Sequence, residues 1–329
     1  MNSKDADNRP PLIVLVGPTA IGKTALSLDL ARKYNAEIIS GDSMQVYRRM
    51  NIGTAKLMPE EREGIPHHLI DICEPEHPFS VSEFQKLCTE AIHDIASRGK
   101  LPMIVGGTGL YIESVCYGFD FQEHGADEAY REEQRRYAAE HGNEALHAKL
   151  AAVDPVTAAK LHANDLGRVV RALEIHRVTG RPLSEQQSGA RGDEKRSPYR
   201  LCIIGLTMDR AALYRRIEQR IDGMLEAGLV AEVRSLLDSG VPRDAISMRG
   251  LGYKEIAAYL AGEMPYETAV DVLKRDTRHF AKRQLSWFRH MKALEWVDID
   301  DAAKNNGLFA ATCDIIAGKF PMDIEYISS

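Results

Sequence analysis

Leu12-Ile-Val-Leu-Val16 is an unbroken apolar run that stops at a glycine, the pattern of a strand buried on both faces of a parallel sheet. From about Lys23 to Tyr34 the apolar positions Leu26, Leu30 and Ala31 share one side, which predicts a helix. Ala36 to Ser40 reads as a second strand and His68 to Ile72 as a short third one. Residues 80–98 read as a helix, and Leu101 to Val105 as another buried strand running into Gly106-Gly107. Strand, glycine turn and helix thus recur three times, which predicts a doubly wound parallel α/β sheet.

The pattern changes near residue 120. From Asp127 to about Arg177 the chain reads as helical, charged and poor in β-branched runs, and Ser184 to Tyr199 is polar with Gly189, Gly192 and Pro198. Leu201 to Thr207 returns to buried-strand character, the reading after Asp209 is helical up to about Lys292, and Leu294 to Asp298 fits a last strand. The predicted organisation is a sheet core of 12–121 and 200–299 with an all-helical subdomain, 122–199, inserted into it and a helical C-terminal part. A frayed tail, 1–11, precedes it and an acidic extension, 300–329, follows; residues 295–329 hold seven Asp/Glu and two Lys/Arg.

Composition narrows the class. The 329 residues are 44% apolar and 27% charged, with 42 Lys/Arg against 48 Asp/Glu and a net charge of −6. A fibrous or mostly disordered chain is excluded, and nucleic-acid binding has to rest on a local patch. No apolar run approaches the roughly 18 residues of a membrane span. Met1 to Pro11 is polar with both charge signs, unlike a signal or transit peptide. Five cysteines without a C-x-x-C fit neither a zinc site nor a disulfide framework, so reduced thiols and a cytoplasmic location are expected. Nothing in the pattern calls for an obligate protein partner.

Gly17-Pro18-Thr19-Ala20-Ile21-Gly22-Lys23-Thr24 matches G-x-x-x-x-G-K-[ST] and sits after a buried strand and before a helix, the context that gives this motif meaning. Backbone N–H groups of such a loop curl around an anion at a helix N-terminus, Lys23 adds a charge, and the Thr24 hydroxyl can join a Mg²⁺ shell. A di- or triphosphate and a P-loop NTPase-like sheet are therefore expected. The chemistry stays open. An ATPase holds Mg²⁺ with an acid on a neighbouring strand, whereas Val105 is followed by Gly106-Gly107-Thr108. The nearest suitable acid is Asp42, just past the second strand, as a Mg²⁺ ligand or as a general base. Ligands gather at the carboxyl ends of parallel strands, where Gly17–Thr24, Asp42 and Thr108 should converge.

Several stretches resemble the tRNA dimethylallyltransferase family, also called tRNA isopentenyltransferases, in its bacterial form. They are the loop at 17–24, Asp-Ser-Met-Gln-Val-Tyr (42–47), Asn-Ile-Gly-Thr-Ala-Lys (51–56), His-His-Leu-Ile-Asp (67–71) and Gly-Gly-Thr-Gly-Leu-Tyr (106–111). To these add Asn-Asp-Leu-Gly-Arg-Val-Val-Arg-Ala-Leu-Glu (164–174), Gly-Leu-Gly-Tyr-Lys-Glu (250–255) and the segment from Thr277 to Arg289. The resemblance runs from about residue 12 to 298. It implies transfer of a dimethylallyl group from dimethylallyl diphosphate to N6 of the adenosine 3′-adjacent to the anticodon, in tRNAs reading codons that begin with U. It also implies Asp42 as general base, Thr108 as a donor near the bridging oxygen, Mg²⁺ as cofactor and an anticodon stem-loop as partner. The target base would be swung out of its stack to meet Asp42, Ser43, Met44 and Gln45, with Gln45 reading a base edge. For Met44 and Val46 core packing is the stronger expectation, and Tyr47 and Tyr111 fit either the core or a dimethylallyl pocket.

The resemblance further implies RNA contacts at Asn164, Asp165, Leu166, Gly167 and Arg168, and at Arg131. Arg249 and Lys254, flanking a glycine turn, are candidates to bring charge to the diphosphate. Lys274 to Lys292 carries seven Lys/Arg against one acid, Asp276. At about 100° per residue Phe280, Gln284, Trp287, Phe288 and Met291 form an inward stripe, with Arg275, Arg278, Lys282 and Arg289 opposite. Arg278 and Lys282 are therefore candidate phosphate contacts. The adjacent His67 and His68 point apart and read as structural. The rival reading, a small-molecule or nucleotide kinase on the same loop, explains residues 12–110 but not the basic helix or the inserted helices.

Overall fold

The computed structural model describes residues 9–119, 121, 127–187 and 197–320. Six parallel strands form one sheet in the order β3-β2-β4-β1-β5-β6. They are β1 (Pro11–Val16), β2 (Ala36–Gly41), β3 (His67–His68), β4 (Leu101–Gly106), β5 (Arg200–Thr207) and β6 (Leu294–Asp298). Leu12 to Val16 are each 0% exposed, as a central strand requires. Val16 and Gly41 both pair with Gly106, so β1, β2 and β4 end level and send their loops out from one edge. Helices α1 (Lys23–Lys33), α2 (Val81–Ser97) and α3 (Gly109–Cys116) follow these strands. α2 opens where the Ser80 hydroxyl accepts the Glu83 N–H. The phosphate loop turns through left-handed backbone at Ala20 (φ 63°) and Gly22 (φ 103°), which swings successive N–H groups to one side.

The third strand is shorter than the His68–Ile72 expected. Leu69 (φ 59°) and Asp71 (φ 57°) adopt left-handed backbone, which ends the pairing after two residues. The expected tail ends earlier as well: residues 1–8 lie outside the described residues, but Arg9 donates to the Ser197 carbonyl and the Arg200 N–H donates to the Pro10 carbonyl.

The chain divides into a sheet unit, residues 1–118 with 194–329, and a second unit, 119–193. The division falls a few residues from the predicted 122–199, because Ser197 to Tyr199 already belong with the strand they lead into. In the second unit the expected long helical stretch is broken into α4 (Glu128–His141), α5 (Asn143–Val153), α6 (Pro155–Ala158), α7 (Leu166–Thr179) and α8 (Leu183–Gln187). The breaks have local causes: Gly142 at φ 90°, and Asp154, whose carboxylate caps α6 while Pro155 fills its first position. Leu146, Leu150, Val169, Val170 and Leu173 fill this unit's own core.

Beyond β5, the sheet unit continues through α9 (Arg210–Glu226), α10 (Leu229–Asp238), α11 (Tyr253–Leu260) and α12 (Tyr266–Phe288). After β6 come α13 (Ile299–Lys304) and α14 (Leu308–Lys319). α14 packs on β5, β6 and α1, burying Cys313 and Ile316 with Phe320 just beyond it, so residues 300–320 are part of the core and not an appendage to it. The acids expected at 321–329 lie outside the described residues.

Candidate active site

The phosphate loop and the middle of α9 line an open cavity of about 420 Å³, formed by Ala20, Ile21, Gly22, Lys23, Thr24, Ala25, Arg216, Gln219 and Arg220. Gly17, Pro18 and Thr19 form the loop's other limb, and Lys23 Nζ donates to the Gly17 and Pro18 carbonyls at 2.9 and 2.8 Å. Burial lowers the Lys23 pKa to about 7, the positive Arg220 adds to the effect, and Asp42 opposes it. Lys23 and Arg220 therefore face one small space, with Asp42 near enough to influence both.

Arg220 is a cavity residue that the sequence pattern did not single out. The buried positions Leu213, Ile217 and Ile221 recur every four residues and seat α9 on the core. Arg216 and Arg220 each precede one of them, so both arginines run along the border of the stripe, beside the loop. Arg216 donates to the Ile21 carbonyl at 3.4 Å. Arg220 Nε is buried and has no hydrogen-bond partner among the described residues. Burial lowers the Arg220 pKa, and Asp42 raises it. A guanidinium held at an amide nest with a donor to spare is built to meet an anion. The signal available in the sequence was the i, i+4 spacing of two arginines against an apolar stripe.

Asp42 and Thr108 come together at the ends of β2 and β4. The Ser43 N–H donates to Thr108 Oγ1 at 3.1 Å, and that hydroxyl lies 3.3 Å from Ser43 Oγ, to which it donates. Asp42 Oδ1 accepts the Met44 N–H at 2.8 Å, which fixes the carboxylate in a tight turn. The loop beyond is held hard. The Glu232 carboxylate of α10 accepts the N–H groups of Asn51, Ile52 and Gly53 and the Tyr253 hydroxyl. Buried Lys56 donates to the Tyr47 carbonyl, Asn51 Oδ1 and Asp71 Oδ1.

Several expectations need correction here. Gln45 is not free to read a base edge: its Oε1 accepts from Ser40 Oγ and its Nε2 donates to the Thr54 carbonyl. Val46 is core, but Met44 is only half-buried, its sulfur near Gly250. Tyr47 and Tyr111 are core residues, Tyr111 stacking on Phe84 at 4.6 Å between centroids. Lys254 pairs with Asp276 and Glu255, and Arg249 donates to the Asp244 carbonyl; no described contact ties either to the loop. His68 meets Glu37, and His67 lies 2.8 Å from the Ile65 carbonyl, both structural.

The basic helix α12 docks by a stripe turned slightly from the predicted one: Leu273, Thr277, Ala281, Gln284 and Phe288 are buried, while Phe280 is half-exposed. The small Ala281 lets the helix approach closely, which Phe280 would not. Acids of α9 neutralise part of the charge: Lys274 pairs with Asp222 and Arg278 with Glu218, the Arg278 guanidinium also lying over Tyr214. Lys282 and Arg289 are exposed and pair with no described carboxylate. In the second unit Arg131 grips buried Glu174 through two bonds of 2.9 and 3.0 Å, an internal role that takes up its donors. Asn164, Gly167 and Arg168 are exposed at the start of α7, with Asp165 and Leu166 half-buried between them; Arg168 pairs loosely with Asp165.

Among the described residues no group of three or more His, Cys, Asp or Glu could hold a metal ion. The Thr24 hydroxyl at the cavity is still suited to Mg²⁺, which takes most of its ligands from water and phosphate oxygens.

A parallel sheet with an amide nest at its edge, cationic walls and a carboxylate nearby defines a P-loop enzyme that handles a phosphorylated donor. Comparison with known proteins narrows this. The family model for IPP transferase matches residues 45–291, and that for isopentenyl transferase matches residues 10–73. The tRNA dimethylallyltransferase of Geobacillus kaustophilus (strain HTA426) is 50% identical over 314 residues, covering 94% of this chain and 97% of that protein. That of Bacillus subtilis (strain 168) is 48% identical over 321 residues, covering 96% and 99%. The crystal structure of the full-length tRNA isopentenylpyrophosphate transferase from Bacillus halodurans superposes with a TM-score of 0.71, at 46% identity over 97% of this chain and 99% of that one. A eukaryotic dimethylallyltransferase acting on tRNA gives 0.78 at 28% identity, covering 94% and 79%. The chain belongs to the IPP transferase family, the tRNA dimethylallyltransferases.

Proposed function

We propose that this enzyme transfers the dimethylallyl group of dimethylallyl diphosphate to N6 of the adenosine 3′-adjacent to the anticodon, in tRNAs that read codons beginning with U, and releases diphosphate. The observation that carries the reading is the buried, unpartnered Arg220 Nε at a cavity walled by the amide nest and Lys23. Departing diphosphate is what such a wall stabilises, because its charge grows as the C–O bond breaks. An exocyclic adenine amine is a weak nucleophile, its lone pair being delocalised. Asp42, held by the Met44 N–H on one side of its carboxylate, is suited to accept the N6 proton as the new C–N bond forms. Thr108, hydrogen-bonded to Ser43, is suited to orient the bridging oxygen. Bound through Thr24, Mg²⁺ would supply further neutralisation of the diphosphate. The RNA contacts best supported are Lys282 of α12, Arg289 just beyond its end, and the segment that opens α7, Asn164 to Arg168.

No helix among the described residues is long and apolar enough to cross a membrane, and five free cysteines suit a reducing cytoplasm. The kinase reading has no support from the relatives named above, which are tRNA dimethylallyltransferases or isopentenyltransferases by name. The test is incubation with Mg²⁺, labelled dimethylallyl diphosphate and an unmodified anticodon stem-loop, with labelled ATP in parallel. Label entering the RNA is expected; ATP turnover without it would overturn the proposal.

A further inference from the structure

β1 and β4 pair as far as Val16 and Gly106, and then their chains separate into the phosphate loop and the Thr108 turn. One side chain spans the gap. Gln284 of α12 is 7% exposed; its Oε1 accepts the Thr19 N–H at 3.0 Å, and its Nε2 donates to the Gly107 carbonyl at 3.0 Å. The partners themselves fix the amide's orientation, since an N–H can face only the oxygen and a carbonyl only the nitrogen. The side-chain amide thus stands where the next rung of the sheet would be.

The helix reaches this gap because glycines make room. A Cβ at Gly107 would lie 2.2 Å from Gln284 Nε2, and one at Gly109 would lie 2.3 Å from the Trp287 ring. On one side of the bridge is the nest that holds the leaving group. On the other, Gly107 leads directly to Thr108, whose hydroxyl bonds Ser43 next to Asp42.

We propose that Gln284 is a positioning residue for the transfer: its amide fixes the phosphate loop against the Thr108 turn and so sets the separation between the donor's diphosphate and the base that deprotonates the acceptor. The nearest replacements do not make both bonds. Glutamate cannot donate, asparagine is one methylene shorter, and leucine fills the space with neither bond. The inference rests on the proposed reaction for its kinetic consequence but not for the bridge itself. Small errors in the placement of reacting groups cost about 100-fold in rate, so the expected signature is a loss in kcat.

The test compares Gln284→Leu and Gln284→Glu with the wild type, and with Phe288→Leu, which loosens the same helix without touching the bridge. Expected for Gln284→Leu are a kcat at least tenfold lower with both substrates saturating, stem-loop affinity within twofold, and faster amide exchange at Thr19. Gln284→Glu should keep Thr19 protected and recover part of the rate. A Gln284→Leu kcat within twofold of wild type would overturn the proposal. So would an equal kcat loss in Phe288→Leu at matched melting temperature, or unchanged exchange at Thr19. A wild type that transfers nothing would instead count against the proposed reaction, and the exchange measurement would still decide whether the bridge exists.

Discussion

In the proposed reaction Arg220, at the cavity wall, acts on the leaving group and Asp42, at the end of β2, acts on the incoming amine. The negative Asp42 favours the charged forms of both Lys23 and Arg220, whereas Arg220 disfavours that of Lys23. A charge-assisted hydrogen bond contributes about 1.5–3 kcal/mol, so Arg220→Met should weaken binding of inorganic diphosphate by roughly 10- to 100-fold. Titration calorimetry reads this directly, and an unchanged Kd would remove Arg220 from the anion site. Asp42→Asn keeps the shape of the side chain and an acceptor for the Met44 N–H but cannot take up a proton. Its kcat should fall by roughly 10² to 10⁴ while stem-loop affinity stays within a few-fold. A near-normal rate would exclude Asp42 as the base.

At the level of elements, α9 serves two neighbours with two faces. Its arginines line the anion cavity, and its acids Glu218 and Asp222 hold Arg278 and Lys274 of α12. That division decides which cations of α12 remain for RNA. Lys282→Ala with Arg289→Ala should flatten the dependence of log K on log salt by about two, near one for each phosphate that is no longer neutralised. Arg278→Ala should change the slope less, because its charge is already balanced by Glu218. If the double variant binds with the wild-type slope, that face is merely solvated. The loop that follows β2 depends in the same way on a distant helix. Glu232 on α10 collects three backbone N–H groups and the Tyr253 hydroxyl. Glu232→Ala leaves these donors without their acceptor, each loss costing about 1–3 kcal/mol where the group stays buried. Faster proteolysis or amide exchange across residues 50–56 is expected, and unaltered protection there would show that the loop holds itself.

For the whole molecule, the anchor far from the chemistry is Glu37. Its carboxylate is 1% exposed on β2 and meets Arg98, His68 and Lys100. Hydrogen bonds from Arg98 above all hold its pKa at about 2 against an ordinary 4.5; burial pushes the other way, and His68 and Lys100 assist Arg98. A depressed carboxylate stabilises the fold fully above its ordinary pKa and progressively less as the pH falls from about 4.5 towards 2. The amount is about 3 kcal/mol. The melting temperature should therefore fall across that window in the wild type, and Glu37→Gln should be less stable at neutral pH with a flatter acid limb. Parallel acid limbs in the two proteins would contradict this. How much of the architecture could be read beforehand follows from the range of the forces involved. Apolar runs and glycine turns are local, so the strands Leu12–Val16 and Leu101–Val105 and the loop at 17–24 were legible, and with them the expectation of an anion at one edge of the sheet. Gln45, Arg131 and Lys254 looked available because a polar side chain does not announce its partner; Thr54, Glu174 and Asp276 claim them only after the chain has folded. Arg220 looked like any helical arginine, and Gln284 like part of an apolar stripe, until α9 and α12 packed on the sheet. Sequence alone thus determined the strands other than the short third one, the cradle and its charge, since those depend on neighbours a few residues apart. Tertiary structure alone decided which polar groups are spent on the scaffold and which face the cavity, because burial and long-range hydrogen bonding assign their roles.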